Sequence, residues 1–181
     1  MKREALAALI VVAATSTGCA TRRSAEPVGT EQRPAEATSS ILDARGQPVA
    51  TVVASDAGDA LRIRVDATGL SSGVYGIHLH SVGRCEAPGF ETAGPHWNPA
   101  GREHGRDNPR GQHLGDLPNL LVGTDRRGTL EFTIPGASLG GPGARLLDAD
   151  GAAIVLHARP DDYRTDPSGN SGSRIACGVL G

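Results

Sequence analysis

The strongest constraint on the fold is a series of short segments in which apolar and polar residues alternate. In segment 60–70 (ALRIRVDATGL), Leu61, Ile63 and Val65 alternate with polar side chains. A period of two is typical of a half-buried β-strand. Comparable apolar segments, separated by turns that contain Gly or Pro, occur at 39–55, 74–80, 119–134, 152–157 and 174–180. We count about eight short strands and no amphipathic helix, which predicts an antiparallel sandwich or barrel.

Chain length limits the number of domains, and net charge limits the class of ligand. A chain of 181 residues favours one main domain. The formal net charge of -2 argues against nucleic-acid binding, which requires a basic face.

The first residues have the pattern of an export signal. Lys2 and Arg3 precede an apolar run at 5–14, which is shorter than the roughly 20 residues of a membrane span. A small residue before Cys19 resembles the bacterial lipoprotein signal, in which the cysteine is lipidated and attaches the protein to a membrane; the alternative is an ordinary cleaved signal peptide. We therefore predict a signal peptide at 1–19, a flexible linker at 20–38, a folded domain at 39–181, and an exported protein of the periplasm or cell envelope.

Two histidines share one face of a predicted strand. In GIHLH, His78 and His80 project to the same side, whereas Ile77 and Leu79 face the core. The polar connection at 81–118 is far longer than an ordinary loop, and loops beyond about 15 residues are usually functional or disordered. It contains further candidate ligands: Cys85, His96, His104, His113 and Asp116.

Six motifs carry a resemblance to a known family. They are GIHLH, AGPHWNP, REHG, QHLGDLPN, VLHARPDDY and GNSGSRIACGVLG. With them, the chain resembles a copper/zinc superoxide dismutase of the bacterial exported type from about residue 39 to Gly181. The resemblance implies an all-β fold, an eight-stranded antiparallel Greek-key barrel or sandwich with long metal-binding loops. It also implies an enzyme that converts superoxide to oxygen and hydrogen peroxide, with a redox-cycling copper bridged through a histidine to a structural zinc.

The resemblance also implies roles for individual residues. The copper ligands are His78, His80, His96 and His157, and the zinc ligands are His96, His104, His113 and Asp116. Arg174 guides the anion to copper. Arg174 and the bridging His96 are the two predicted catalytic residues. Asp161 hydrogen-bonds one copper ligand, His78 or His80, and the zinc ligand His104. Cys85 and Cys177 form the intrachain disulfide.

The implied ligands suit the implied metals. Imidazole nitrogens suit copper, and three nitrogens with one carboxylate oxygen suit a closed tetrahedral zinc site. Two alternatives stay open at this stage: an exported copper-binding or carrier protein without catalysis, and a purely structural exported sandwich. The sequence leaves the oligomeric state open.

Overall fold

The computed structural model describes residues 36–181. The predicted signal peptide, the candidate lipidation site Cys19 and linker residues 20–35 lie outside the described residues. Residues 36–38, which the sequence placed in the linker, begin the first strand.

The regular structure of residues 36–181 consists of β-strands and one 3₁₀ helix, Glu91–Ala93. The strands are β1 (Glu36–Asp43), β2 (Pro48–Ala57), β3 (Ala60–Ala67), β4 (Gly73–Tyr75), β5 (Ile77–His80), β6 (Leu120–Val122), β7 (Gly128–Pro135), β8 (Ala137–Ser138), β9 (Ala144–Arg145), β10 (Ala152–His157) and β11 (Arg174–Leu180). Within the same range, no helix has the length and apolarity that a membrane crossing requires.

Seven strands form one antiparallel sheet in the order β5-β10-β11-β1-β2-β3-β7. At the β7 edge of this sheet, a tight turn closed by a hydrogen bond from Gly123 N to Arg127 O (2.8 Å) joins β7 to the preceding strand β6. Strand β6 in turn pairs with β4. Since only Gly76 separates β4 from β5, the sheet curls back towards its own first edge. The predicted antiparallel all-β fold is confirmed, with eight strands when β4 and β5 count as one and the two-residue β8 and β9 are set aside. The pair β8–β9 differs from the expectation because it is parallel.

The period-two pattern places the core as predicted. Leu61, Ile63 and Val65 of β3 are fully buried, whereas Arg62 and Arg64 between them are exposed. Strand β10 has no exposed residue because both of its faces are covered. One face packs into the main core, and the other lies against a smaller apolar cluster beneath the loop that follows β5.

A disulfide joins that loop to the sheet. Cys85 and Cys177 are bonded with their Cα atoms 5.6 Å apart, which confirms the predicted pairing. The bond closes a loop of 92 residues, and on the chain-entropy argument such a closure contributes about 4 to 5 kcal/mol of stability. It also fastens the start of the 81–118 segment to β11, the strand that begins at Arg174.

Candidate metal centre

Strand β5 carries the first two histidines into the interior. Ile77 and Leu79 are fully buried in the apolar core, and the alternation of the strand turns His78 and His80 to the other face, where both are also fully buried. Strand β10 pairs with β5 and ends at His157, which is 3% exposed. Strand pairing thus brings three histidines from distant parts of the chain to one place.

The segment after β5 folds back along the strand's outer edge. Leu79 N donates to Gly115 O (2.9 Å), and Trp97 N donates to Leu79 O (2.8 Å). A side chain at Gly115 would not fit, because its Cβ would lie 2.4 Å from the Leu79 carbonyl oxygen. These bonds place the neighbouring side chains of His96 and Asp116 beside the strand histidines.

Four histidines form the first cluster: His78, His80, His96 and His157 each offer a ring nitrogen, and these nitrogens lie within 4.8 Å of one another. In three of them, one ring nitrogen is already hydrogen-bonded: His78 Nε2 to Asp161 Oδ2 (2.9 Å), His80 Nδ1 to Gly94 O (2.8 Å) and His157 Nδ1 to Gly172 O (3.2 Å). The other nitrogen of each, namely His78 Nδ1, His80 Nε2 and His157 Nε2, is buried without a partner.

Unpartnered buried nitrogens are costly unless another group accepts their lone pairs. Because the bonded nitrogen of each ring carries the proton, the free nitrogen presents a lone pair to the cluster. Burial also lowers the pKa of His78 to about 3, of His80 to about 2 and of His157 to about 4. The rings are therefore neutral at pH 7, the form that binds metal, and several convergent imidazoles fit copper.

The second cluster surrounds one carboxylate oxygen. Asp116 Oδ1 lies 3.0 Å from Nδ1 of His96, 3.0 Å from Nδ1 of His104 and 3.1 Å from Nδ1 of His113. The His104 contact lacks hydrogen-bond alignment, which leaves that buried nitrogen unpartnered. The other oxygen, Asp116 Oδ2, accepts from Gly105 N (2.9 Å) and His113 N (3.0 Å), so the loop backbone fixes the carboxylate. Three nitrogens and one carboxylate oxygen at one point fit a structural zinc site.

In this second cluster, burial and the neighbouring charged groups have opposite effects on ionisation. Burial disfavours the charged form of the imidazole of His104, but its contacts with Asp116 and Asp161 outweigh that effect and raise its pKa to about 9. Burial likewise opposes ionisation of Asp116, yet its close contacts with the three histidine rings and the hydrogen bond from Gly105 N hold its pKa well below the usual range. An ionised carboxylate among imidazoles is what a divalent cation requires.

His96 belongs to both clusters. Its Nδ1 contacts Asp116, and its ring stacks on His78 with centroids 4.0 Å apart. His78 also offers a ring nitrogen within 4.8 Å of ligand atoms of His96, His104 and Asp116. Its Nε2 is committed to Asp161, so we assign its free Nδ1 to the first cluster.

Asp161 connects the two clusters. Its Oδ2 accepts from His78 Nε2 (2.9 Å), and its Oδ1 accepts from His104 Nε2 (3.0 Å) and Tyr163 N (2.7 Å). Burial opposes ionisation of this carboxyl, but these hydrogen bonds outweigh the effect of burial and hold its pKa below the usual range. One buried carboxylate thereby orients a ring of each cluster.

A surface cleft of about 1040 Å³ leads to His96 and His157. Arg174 lines it and is held in place by two backbone carbonyls, with Nη1 donating to Phe90 O (2.7 Å) and Nη2 to Gly94 O (2.8 Å). Gly94 O also accepts the proton of His80 Nδ1. A guanidinium stays charged at any ordinary pH, so the cleft presents a fixed cation beside the histidine cluster.

The structure brings all the predicted ligands, Asp161 and Arg174 into this one region. Sequence reasoning missed the carbonyl groups of Phe90 and Gly94, because any residue type can supply a backbone carbonyl. It also missed Asn119 and Tyr163, which hold the Asp161 turn. Asn119 lies in the motif QHLGDLPN and Tyr163 in the motif VLHARPDDY, and membership of these motifs is the one sequence feature that could have indicated a role.

Comparison with known proteins gives a consistent result. Residues 48–180 match the family described as copper/zinc superoxide dismutase (SODC). The chain is 42% identical over 143 residues to the superoxide dismutase-like protein YojM of Bacillus subtilis, covering 77% of this chain and 73% of that protein. It is 40% identical over 147 residues to a Cu-Zn superoxide dismutase of Caulobacter vibrioides, covering 80% and 84%. A crystal structure of a double mutant of a SOD-like protein from Bacillus subtilis matches with a TM-score of 0.76 and 41% identity, covering 81% of this chain and 99% of that one.

Proposed function

The chain belongs to the copper/zinc superoxide dismutase family, and from that premise we propose which of its residues carry the reaction. The protein is an enzyme that disproportionates superoxide, with copper and zinc as its cofactors. When bound, copper supplies the one-electron chemistry by which two superoxide ions and two protons yield one oxygen molecule and one hydrogen peroxide molecule.

We assign the metals by cluster. Copper is held by His78, His80, His96 and His157, and zinc by His96, His104, His113 and Asp116. One observation carries the assignment: the buried ring nitrogens without a hydrogen-bond partner are those of proposed ligands, and they converge on the two clusters.

Arg174 is proposed to receive the substrate. Its guanidinium lines the cleft, and its two carbonyl contacts fix its position without neutralising its charge. Superoxide is a small anion, so a fixed cation at this point attracts it and orients it towards the histidine cluster.

His96 is proposed to handle a proton. Its Nδ1 is engaged by Asp116, which leaves Nε2 as the ring nitrogen available to the first cluster. In the metal-free chain, burial disfavours the charged form of this imidazole and lowers the pKa of His96. We propose that Nε2, in the part of the cycle in which it is not a copper ligand, takes up a proton and delivers it as one of the two protons that peroxide formation consumes.

Export and anchoring are further proposals. A disulfide is typical of oxidising compartments, and the chain has one at Cys85–Cys177. We propose that 1–19 is a signal peptide, that Cys19 is lipidated and holds the protein to a membrane, and that 20–35 is a tether in front of the catalytic domain, which begins with β1 at Glu36. Mass spectrometry of the mature N-terminus tests this: an unmodified end beyond Cys19 contradicts lipidation.

Removal of one copper ligand tests the proposed function. We expect the wild-type protein to bind about one copper and one zinc per chain and to accelerate superoxide decay. His157→Ala removes a first-cluster nitrogen and leaves the second cluster intact, so we expect copper and activity to be lost while zinc is retained. Elemental analysis and a superoxide-decay assay measure both. A copper-binding wild type that leaves superoxide decay unchanged would instead be a carrier.

A further inference from the structure

Tyr163 lies where three segments of the centre meet. Its hydroxyl accepts a hydrogen bond from Asn119 N (2.8 Å), just before β6. The guanidinium of Arg106 sits 3.8 Å above its ring, and Asp107 N donates to its carbonyl oxygen (2.9 Å). Arg106 and Asp107 belong to the loop that carries His104, so the tyrosine ties that loop to the sheet.

The same contacts fasten Asp161. Asn119 Nδ2 donates to Asp161 O (2.9 Å), and Asp161 N donates to Asn119 Oδ1 (2.8 Å). Tyr163 N donates to Asp161 Oδ1 (2.7 Å), the oxygen that also faces His104. Asn119 therefore holds the backbone N–H and the carbonyl oxygen of Asp161, and Tyr163 joins His104 in holding its Oδ1.

We propose that Tyr163 and Asn119 are positioning residues of the metal centre, which together fix the carboxylate of Asp161 so that it can hold His78 and His104 at once. The inference rests on the proposed function, because it assigns these two rings to copper and zinc. Neither residue touches the proposed ligand atoms, so both act through Asp161.

The backbone at Tyr163 supports this role. Its φ of 61° lies in the left-handed region, which a residue with a side chain occupies only when its surroundings hold it there. The packing at this point is also close: a Cβ at Gly105 would lie 2.2 Å from the Tyr163 carbonyl oxygen. The turn is thus fixed from the zinc loop on one side and from Asn119 on the other.

Tyr163→Phe is the direct test. The variant keeps the ring beneath Arg106 and removes only the hydroxyl that accepts from Asn119 N. Outer partners of metal ligands typically change metal affinity 10- to 100-fold, and we expect about a tenfold loss of zinc affinity in the metal-free protein. Competition with a chromophoric chelator measures zinc affinity. The visible spectrum of Co²⁺ bound in the zinc site reports the geometry of the ligands.

Tyr75→Phe is the matched control. Tyr75 is the other tyrosine of the chain, and its hydroxyl donates to Ser71 O (2.9 Å). We expect this variant to keep wild-type zinc affinity and the wild-type Co²⁺ spectrum. Thermal unfolding of the metal-free proteins compares the stability lost with each hydroxyl.

The outcomes separate the two roles. A tyrosine that merely stabilises the fold lowers the unfolding temperature and leaves zinc affinity and the Co²⁺ spectrum unchanged; that result in Tyr163→Phe overturns the proposal. If Tyr163→Phe does not fold, Asn119→Ala removes both side-chain bonds to Asp161 and must lower zinc affinity at least tenfold. A wild-type protein that binds neither zinc nor Co²⁺ would overturn the proposed function itself, and the positioning role with it.

Discussion

Asp161→Asn removes one charge from the point where the two clusters meet. Oδ1 of Asp161 accepts two hydrogen bonds, from His104 Nε2 and Tyr163 N, whereas Oδ2 accepts one, from His78 Nε2. An asparagine amide has one oxygen and one NH₂ group. We expect the oxygen to take the place of Oδ1, because two donors point there, and the NH₂ group to face His78.

The magnitudes follow from those contacts. At His78 two N–H groups then oppose each other, so a charge-assisted hydrogen bond of about 1.5 to 3 kcal/mol is lost. This corresponds to about a 10- to 150-fold loss of copper affinity. At His104 a neutral oxygen replaces a carboxylate, and the weaker bond costs about 1 kcal/mol, or about fivefold in zinc affinity. Copper binding should therefore suffer more than zinc binding.

The assay is titration of the metal-free protein with Cu²⁺ and with Zn²⁺ against competing chelators. Asp162→Asn is the matched control, since it removes the same charge from the next residue. Within residues 36–181, the carboxylate of Asp162 bonds only to its own loop, at Arg164, Thr165 and Asn170. We expect the control to bind both metals as the wild type does. Affinities for both metals within twofold of wild type in Asp161→Asn would refute the reasoning, and a larger loss for zinc than for copper would refute the proposed orientation of the amide.

Two further predictions concern charge. Arg174→Ala should slow superoxide decay and weaken its dependence on ionic strength while both metals stay bound, as measured by activity at several salt concentrations and by elemental analysis; an unchanged rate at low salt contradicts a guiding role. The metal-free protein should lose stability as the pH falls from about 6.5 towards 4, because burial lowers the pKa of His78 to about 3 and of His157 to about 4, so the unfolded chain binds more protons in that range. His104 acts with the opposite sign: its pKa of about 9 stabilises the folded state below pH 6.5, and this contribution is lost as the pH rises through 9. Urea unfolding of the metal-free protein across this range measures both effects, and a flat profile from pH 7 to 4 would rule out the first.

Much of the fold was predictable because it rests on local patterns. Strands β10 and β11 have the bounds of the apolar segments 152–157 and 174–180, each flanked by turn residues. The common face of His78 and His80 follows from strand geometry alone. The roles of the loop histidines, by contrast, came only from the resemblance, since nothing in the spacing of His104 and His113 indicates that they meet at one carboxylate.

What escaped prediction depends on contacts between distant segments. The need for glycine at position 76, between β4 and β5, comes from Ser171: a Cβ at Gly76 would lie 2.8 Å from Ser171 Cβ. Ser171 is 95 residues away in the chain, so no local pattern indicates this contact. The parallel pair β8–β9 is two residues long on each side, too short to show any period. Asn119 and Tyr163 are ordinary residue types for a loop, and only the fold reveals that they bond to the same turn.

The carbonyl of Gly94 gives the centre a common reference point. It accepts hydrogen bonds from both the ring of His80 and the guanidinium of Arg174. Both side chains are therefore positioned by the same peptide group, and a displacement of that peptide would disturb the ligand and the cation together. The point where the anion enters and the point where it reacts thus depend on one backbone oxygen of the 81–118 segment.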